Sequence, residues 1–207
     1  MGINLGNGFN STNQENNERA SLSLNLVKND ILDLTKNNPG LTTLNLGAGW
    51  DVASGGSSFD LDIAAIMTGA NGKIRSAKDI IFFNNMIGNG IKLHKDNRTG
   101  AGDGDDETIS VDLSQIDSDI HKIVFVVFIY MGQERKQTFG MVNNSYVRLV
   151  DTANGENELC RFNLKSDGST ATAVEFAELY RDGNEWRFKA VGEGKIADLN
   201  GLASMYL

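Results

Sequence analysis

The chain has 207 residues, a formal net charge of -8 at pH 7 and a single cysteine, Cys160. A chain of this length can bury enough surface to fold as one domain, and one cysteine cannot form a disulfide within the chain. The excess of 27 acidic over 19 basic residues disfavours a nucleic-acid partner, whose phosphate backbone is itself negative.

The N-terminal segment, residues 1–20, is polar and rich in asparagine, without apolar periodicity. We expect this segment to be mobile, and we place the folded domain at residues 21–207. The first residues carry neither a secretory signal nor a myristoylation pattern, and together with the lone cysteine this favours a cytoplasmic location. The longest apolar run, IVFVVFIYM, is far shorter than the roughly 20 residues of a membrane helix, so no direct membrane insertion is expected.

Turn dipeptides recur between short runs of alternating apolar residues, a pattern typical of antiparallel β structure. The spacing predicts hairpins that turn at Asn89-Gly90, Asn154-Gly155 and Asp182-Gly183. The run from Ile123 to Tyr130 predicts a central strand buried on both faces. Residues 134–144 give the best helix signal, so helices should be short. We therefore predict a mainly β fold, a β-sandwich of two antiparallel sheets with a few short helices.

The most unusual stretch is residues 96–107, with the sequence DNRTGAGDGDDE, which holds five carboxylates and three glycines. It has the length of an EF-hand calcium loop, but Arg98, Gly100 and Ala101 occupy positions where that loop needs ligands or its glycine. The chemistry of calcium still suits the stretch, because calcium takes six to eight oxygen ligands from carboxylates, carbonyls and water.

A second acidic segment supports a cation site. Asp60 and Asp62 stand two apart in FDLD, so both project from one strand face while Phe59 and Leu61 face the core. Asp51 precedes the intervening loop and can join them. The alternative, that an acidic glycine-rich loop is simply solvated, stays open from composition alone.

Five motifs in this order resemble the TerD family of tellurium-resistance and stress proteins, from about Ser21 onward: GWD at 49–51, FDLD at 59–62, the acidic stretch at 96–107, IYMGQERKQTFG at 129–140 and ELYRDGNEWRFKAVGEG at 178–194. The resemblance implies a bacterial β-sandwich that binds calcium in acidic loops. It also implies protein partners from the tellurite-resistance system, including a membrane protein of the TerC type, and no enzymatic activity. The metal ligands implied by motif are Asp51, Asp60, Asp62, Asp96, Asn97, Asp103, Asp105, Asp106 and Glu107.

The sequence therefore predicts a calcium-binding stress-response protein whose acidic loops are ordered by calcium for recognition by a partner. One alternative is a metal-dependent hydrolase, in which a bound ion activates water beside a carboxylate base. Another is a carbohydrate-binding sandwich with structural calcium, which needs an exposed aromatic face. We expect instead that the aromatic residues belong to the core, as does Cys160. The residues concerned are Trp50, Phe82, Phe83, Phe125 and Trp186.

Overall fold

The structure is a computed structural model that describes residues 24–25, 28–37, 40–51, 59–94, 104–153, 156–165 and 169–207. Within these ranges the chain forms thirteen strands in two sheets and two short α-helices. Residues 1–20 lie outside the described residues, so the mobility of that segment stays a prediction.

Seven strands make the first sheet: β1 (Leu24–Asn25), β3 (Thr43–Gly49), β6 (Ile87–Gly88), β7 (Ile91–Leu93), β8 (Glu107–Asp112), β10 (Tyr146–Asp151) and β11 (Asn157–Asn163). Six strands make the second: β2 (Ile31–Asp33), β4 (Leu61–Thr68), β5 (Ile80–Ile81), β9 (Lys122–Ile129), β12 (Ala173–Asp182) and β13 (Glu185–Lys195). Their spatial orders are β1-β11-β10-β3-β8-β7-β6 and β2-β13-β12-β9-β4-β5. Neighbouring strands are antiparallel, except that β1 runs parallel to β11. The predicted fold class is confirmed.

The helices are α1 (Leu34–Asn37) and α2 (Leu199–Ser204), with three-residue 3₁₀ helices at Ala77–Asp79, Leu113–Gln115 and Phe139–Met141. None of the helices in the described ranges has the length and apolar character that a bilayer crossing requires.

The core lies between the two sheets, and β9 shows how the sequence builds it. Phe125 and Val127 face the first sheet inside the main apolar cluster, while Val124 and Val126 belong to a second cluster on the outer face. Leu202 of α2 packs in that second cluster. The prediction of a central strand buried on both faces is therefore confirmed.

The predicted hairpins form, with one difference. Strands β12 and β13 pair around Asp182-Gly183, and β6 pairs with β7 around Asn89-Gly90, whose φ angles are 47° and 71°. Strands β10 and β11 pair as well, although their turn dipeptide lies outside the described residues. However, Ile80 and Ile81 pair with β4 in the second sheet. The chain before the Asn89 turn therefore crosses from one sheet to the other.

The predicted helix over residues 134–144 is wrong. This segment forms successive turns and the 3₁₀ helix Phe139–Met141. Lys136 and Asn144 have φ angles of 55° and 49°, in the left-handed region, which a continuous right-handed helix excludes. The Gly140 N–H donates to the Ser169 carbonyl at 2.9 Å, and a Cβ there would lie 2.4 Å from that oxygen. Long-range backbone packing thus overrides the local helix preference.

The buried Asp79 forms an ion pair with the partly exposed Arg75 near β5. Arg75 Nη2 donates to Oδ1 at 2.9 Å and Nε donates to Oδ2 at 3.1 Å, while the backbone N–H groups of Arg75 and Ser76 also donate to Oδ2. Burial acts to raise the pKa of Asp79, but the hydrogen bonds and charge of Arg75, with the two backbone donors, outweigh it and hold this pKa below its ordinary value.

We expect Asp79→Asn to lower the free energy of unfolding at pH 7 by about 1–3 kcal/mol, because the mutation leaves buried donors poorly matched. The folded-state pKa lies below the unfolded value, so the carboxylate stabilises the fold above that unfolded value. This contribution is lost as the pH falls through the folded pKa. The difference in the free energy of unfolding between wild type and variant should therefore narrow below about pH 4.

Urea denaturation at several pH values measures this difference. Asp117→Asn is the matched control, because Asp117 contacts the same Arg75 at 3.3 Å with a side chain 55% exposed. Its cost should stay below about 1 kcal/mol. Equal costs for the two variants, or a difference independent of pH, would contradict the assignment.

Candidate acidic site

Four strand ends meet at one end of the sandwich. Strand β3 finishes beside the beginnings of β8 and β10, since Ala48 is in register with Glu107 and Gly49 with Tyr146. The Asp106 N–H extends the first pairing by donating to the Ala48 carbonyl at 2.8 Å. Strand β4 of the second sheet begins nearby. We call this region the acidic end, defined by Asp51, Asp60, Asp62, Asp105, Asp106 and Glu107.

Glu107 connects the two sheets at the acidic end. It occupies an inward-facing position of β8, in line with Ile109 and Val111, and it is 1% exposed. Its Oε2 accepts a hydrogen bond of 2.8 Å from the backbone N–H of Ile63 in β4. Strand β5 covers the same edge of β4 from Ala65 onward. Next to Ile63, the carboxylate therefore takes the place of a strand neighbour.

Asp106 lies among other carboxylates. Its Oδ2 accepts a hydrogen bond of 2.9 Å from the Trp50 N–H. Burial raises the pKa of Asp106, the Trp50 N–H opposes this effect, and the charges of Asp105 and Asp51 raise the pKa further. Asp51 is exposed, and its Oδ2 accepts a hydrogen bond of 2.6 Å from Asn144 Nδ2. Asp106 is therefore close enough to Asp105 and to Asp51 for each of them to repel it.

Asp105 turns away from the interior and lies on the outer face of the first sheet. Arg148 Nε donates to Oδ1 and Oδ2 of Asp105 at 2.8 and 3.0 Å, and the Tyr146 hydroxyl donates to Oδ1 at 3.0 Å. The carboxylate rests directly over Gly47, where a Cβ would lie 2.1 Å from Oδ2. Glycine at this position of β3 leaves the space that the ion pair occupies.

The first acidic segment also reaches this end. Phe59 and Leu61 belong to the main core, as predicted, and Asp62 lies on the other face of β4, where it is 4% exposed. Asp60 is half-buried, and its carbonyl accepts a hydrogen bond of 2.8 Å from the Tyr130 N–H at the end of β9. The two acidic segments, which lie far apart in the sequence and which the family resemblance places in one ligand set, therefore converge. The remaining predicted ligands, Asp96, Asn97 and Asp103, lie outside the described residues.

The donor set at the acidic end fits a hard cation in its chemistry. Carboxylate oxygens are the ligands that calcium prefers, and a divalent charge near Asp51 and Asp106 would lower the repulsion between them. Asp105 already has a cationic partner in Arg148. Among the described residues no three Asp, Glu, His or Cys side chains are grouped closely enough to hold a metal ion. Other oxygen ligands would therefore have to complete a calcium site.

Sequence reasoning missed the residues that hold Asp105. Tyr146 and Arg148 alternate outward in YVRLVD, and Gly47 and Gly49 alternate in LGAG of the neighbouring strand. A Cβ at Gly49 would lie 2.5 Å from the Tyr146 hydroxyl oxygen. Two glycines on one strand, opposite two large side chains on the next, could have revealed this packing. Recognising the pattern requires the register between β3 and β10, which the sequence alone does not give.

Cys160 is buried as predicted, at 3% exposed. Burial raises the pKa of its thiol to about 12, so the side chain stays protonated at neutral pH. A nucleophilic or reducing role for this cysteine is therefore disfavoured.

The predicted core aromatic residues divide into two groups. Trp50, Trp186 and Phe125 are buried, whereas Phe82 and Phe83 are half-buried and line a groove with Tyr130. The Arg135 guanidinium carbon lies 5.6 Å from the centre of the Tyr130 ring, so the Arg135 side chain covers one face of that ring. This arrangement gives little support to a sugar-stacking platform.

Comparison with known proteins gives a consistent result. The TerD domain family model matches residues 22–206. Tellurium resistance protein TerD of Serratia marcescens is 42% identical over 188 residues, which cover 89% of this chain and 97% of the relative. General stress protein 16U of Bacillus subtilis (strain 168) is 43% identical over 189 residues, with 89% and 97% coverage. A solved structure of a homologue of telluride resistance protein (TerD) from Streptomyces coelicolor A3(2) shares the fold, with a TM-score of 0.67 and 23% identity over 79% of this chain and 96% of that one.

We expect Gly47→Ala to destabilise the fold by about 1–3 kcal/mol, because the new Cβ displaces the Asp105 carboxylate from Arg148. Urea denaturation in a calcium-free buffer measures the loss. Gly40→Ala is the matched control, since a Cβ at Gly40 meets nothing within 4 Å. In an Asp105→Ala background the cost of Gly47→Ala should largely vanish. An unchanged cost in that background would show that the ion pair is not what the methyl group disturbs.

Proposed function

The chain belongs to the TerD family, and we propose that it is a calcium-binding protein of the tellurium-resistance and stress response, in which the ion orders the acidic end for recognition by a partner protein. Relatives named for tellurium resistance and for general stress support the biological setting. The lone, buried Cys160 suits the reducing cytoplasm that we propose as its location.

The observation that carries the proposal is the position of Asp106. Its carboxylate is partly withdrawn from water and lies near Asp51 and Asp105, and both neighbours raise its pKa. Two carboxylates about 6 Å apart repel each other by ~0.7 kcal/mol in water and by several times more near a protein surface. A fold that keeps such a group ionised gains stability when a divalent cation binds beside it.

In this proposal Glu107 has a different role from Asp51 and Asp106. Asp51 and Asp106 hold the ion, which supplies two positive charges when bound. Glu107 fixes β4 against β8 through the Ile63 N–H, so that the segment carrying Asp60 stays beside the site.

The loop after residue 94 supplies the rest of the site in this proposal. Its candidates are Asp96, Asn97 and Asp103. The Tyr146 hydroxyl oxygen lies 2.9 Å from the Gly104 carbonyl oxygen and 3.0 Å from Asp105 Oδ1, so Tyr146 contacts the chain at the point where this loop joins β8.

Isothermal titration calorimetry of chelator-treated protein tests calcium binding. We expect Asp106→Asn to weaken binding by roughly tenfold or more, because calcium affinity follows the number of charged ligands. Calcium at about 100 times its dissociation constant should stabilise the wild-type fold by about 2.7 kcal/mol and raise its melting temperature. Asp119→Asn, which removes the same charge from an exposed residue before β9, should leave both quantities unchanged.

The absence of binding heat together with unchanged melting would reject the calcium site. Equal losses in Asp106→Asn and Asp119→Asn would show a general charge effect instead.

The partner in this proposal is another protein of the tellurite-resistance system, including a membrane protein of the TerC type. A binding assay against such a protein in lipid nanodiscs, with calcium and then with chelator, separates this step from calcium binding. Binding that requires calcium supports the proposal. Calcium binding without any effect on partner affinity would leave the ion a purely structural role.

A further inference from the structure

A groove of about 360 Å³ lies on the outer face of the second sheet, where β9 ends. It is lined by residues 82–84 after β5, residues 128–131 at the end of β9 and residues 198–200 at the start of α2, together with Glu134. Small-molecule sites in proteins commonly fall between about 300 and 1,000 Å³. The groove therefore has room for a small ligand.

Aromatic side chains make the groove largely apolar. Phe128 belongs to the second cluster on the outer face of β9, and Phe82 and Phe83 pack against that cluster. The Phe83 ring meets the rings of Phe82 and Tyr130 edge to face, with centroids 5.2 and 6.1 Å apart. The face of an aromatic ring carries partial negative charge and attracts cations.

Hydrogen bonds order the turn that carries two of these rings. The Phe82 N–H donates to the Asn85 carbonyl at 3.0 Å, and the Asn85 N–H donates to the Phe82 carbonyl at 2.8 Å. Asn85 Nδ2 also donates to the Ile80 carbonyl at 2.6 Å. Because the turn is closed in this way, little entropy is lost in ordering it when a ligand binds.

The charged side chains of the groove are acidic. Glu134 and Asp198 line it, and none of the described residues that line it is basic. The Gly201 N–H donates to Asp198 Oδ1 at 2.8 Å, which fixes the position of this carboxylate and leaves its charge. Arg135 and Lys136 follow Glu134 in the chain but are not among the lining residues. The groove therefore suits a positively charged ligand.

Arg135 shows that an aromatic ring of the groove attracts a cation. Its guanidinium carbon lies 5.6 Å from the centre of the Tyr130 ring, within the ~6 Å range of cation–π contacts. Among the described residues, no cationic side chain stands over Phe82 or Phe83 in this way. A ligand cation would therefore find these two rings available.

The surroundings favour one type of organic cation. A primary ammonium has three N–H donors, and each needs an acceptor when it leaves water. A quaternary ammonium has no donor, and its methyl groups carry the charge against apolar and aromatic surfaces. Phe82, Phe128 and Leu199 offer such a surface, while both carboxylates belong to exposed residues at its margin.

We propose that this groove binds a small quaternary ammonium ion. Phe82, Phe83 and Tyr130 contact its methyl groups, and Glu134 and Asp198 supply the opposite charge. None of the residues that define the acidic end lines the groove, so this site does not depend on calcium binding.

Titration of ¹⁵N-labelled protein with choline chloride, at constant ionic strength and with a chelator present, tests the proposal by NMR. The amide signals of residues 82–84, 130–131 and 199–200 should shift and saturate, with a dissociation constant on the order of 1–10 mM. Dimethylbutanol, the neutral carbon analogue of choline, has the same shape without the charge and should bind roughly tenfold more weakly. Butylammonium, a primary ammonium, should also bind more weakly than choline.

Two variants examine the ring and the charge separately. We expect Tyr130→Leu to raise the dissociation constant for choline roughly fivefold, because it keeps an apolar side chain but removes the ring. Tyr130 is 38% exposed, so this variant should fold, and its NMR spectrum checks that it does. Glu134→Gln should raise the dissociation constant roughly threefold. Glu156→Gln is the matched control, since it removes the same charge from an exposed residue before β11, and its dissociation constant should equal that of the wild type.

The absence of saturable shifts with choline would overturn the proposal, as would shifts away from the groove. Equal affinity for dimethylbutanol would show that the charge is not recognised, and tighter binding of butylammonium would contradict the assignment to a quaternary ion. Equal losses in Glu134→Gln and Glu156→Gln would reduce the effect to the net charge of the chain. Because a chelator is present throughout, these outcomes are independent of the calcium site.

Discussion

The hydrogen bond from the Ile63 N–H to the Glu107 carboxylate is the interaction on which the acidic end depends. A buried carboxylate is costly unless it is well partnered, and β8 places Glu107 where a core residue would otherwise stand. The bond also satisfies a backbone donor at the edge of β4 beyond the reach of β5. One side chain thereby links the two sheets at the point where both acidic segments begin or end.

The distribution of charge follows from that link. The two sheets bring negative groups to one end of the sandwich, and Arg148 can neutralise Asp105 because Gly47 leaves room for the pair. Asp106, by contrast, lies near the charges of Asp105 and Asp51, which raise its pKa.

Much of the fold could be predicted from the sequence because local chemistry decides it. Asparagine-glycine and aspartate-glycine turns determine where hairpins close, and the alternation in ETISVD points Glu107 inward together with Ile109 and Val111. The predictions that differ from the structure have a common physical cause, which is contact between segments far apart in the chain. The segment 134–144 is shaped by the contact of Gly140 with Ser169, and Ile80 pairs with β4 in the second sheet instead of with the hairpin that follows it. Neither contact can be predicted from the local sequence.

The candidate site could be predicted to the same extent as the fold, because local sequence does not reveal contacts between distant segments. Alternation in FDLD correctly separates Asp60 and Asp62 from the core face, and the resemblance brings both segments into one ligand set. Sequence spacing does not reveal that Asp105 lies against Arg148, which is 43 residues away in the chain. It therefore treats Asp105 and Asp106 as equivalent neighbours, whereas the structure gives them different surroundings and different partners.

The most direct test of this account is a crystal structure of the protein grown with calcium, with the ion identified by anomalous scattering. We predict an ion at the acidic end, about 2.3–2.6 Å from the carboxylate oxygens of Asp51 and Asp106, with Glu107 still bound to the Ile63 N–H. Crystals that show these two carboxylates apart in solvent, without an ion between them, would contradict it.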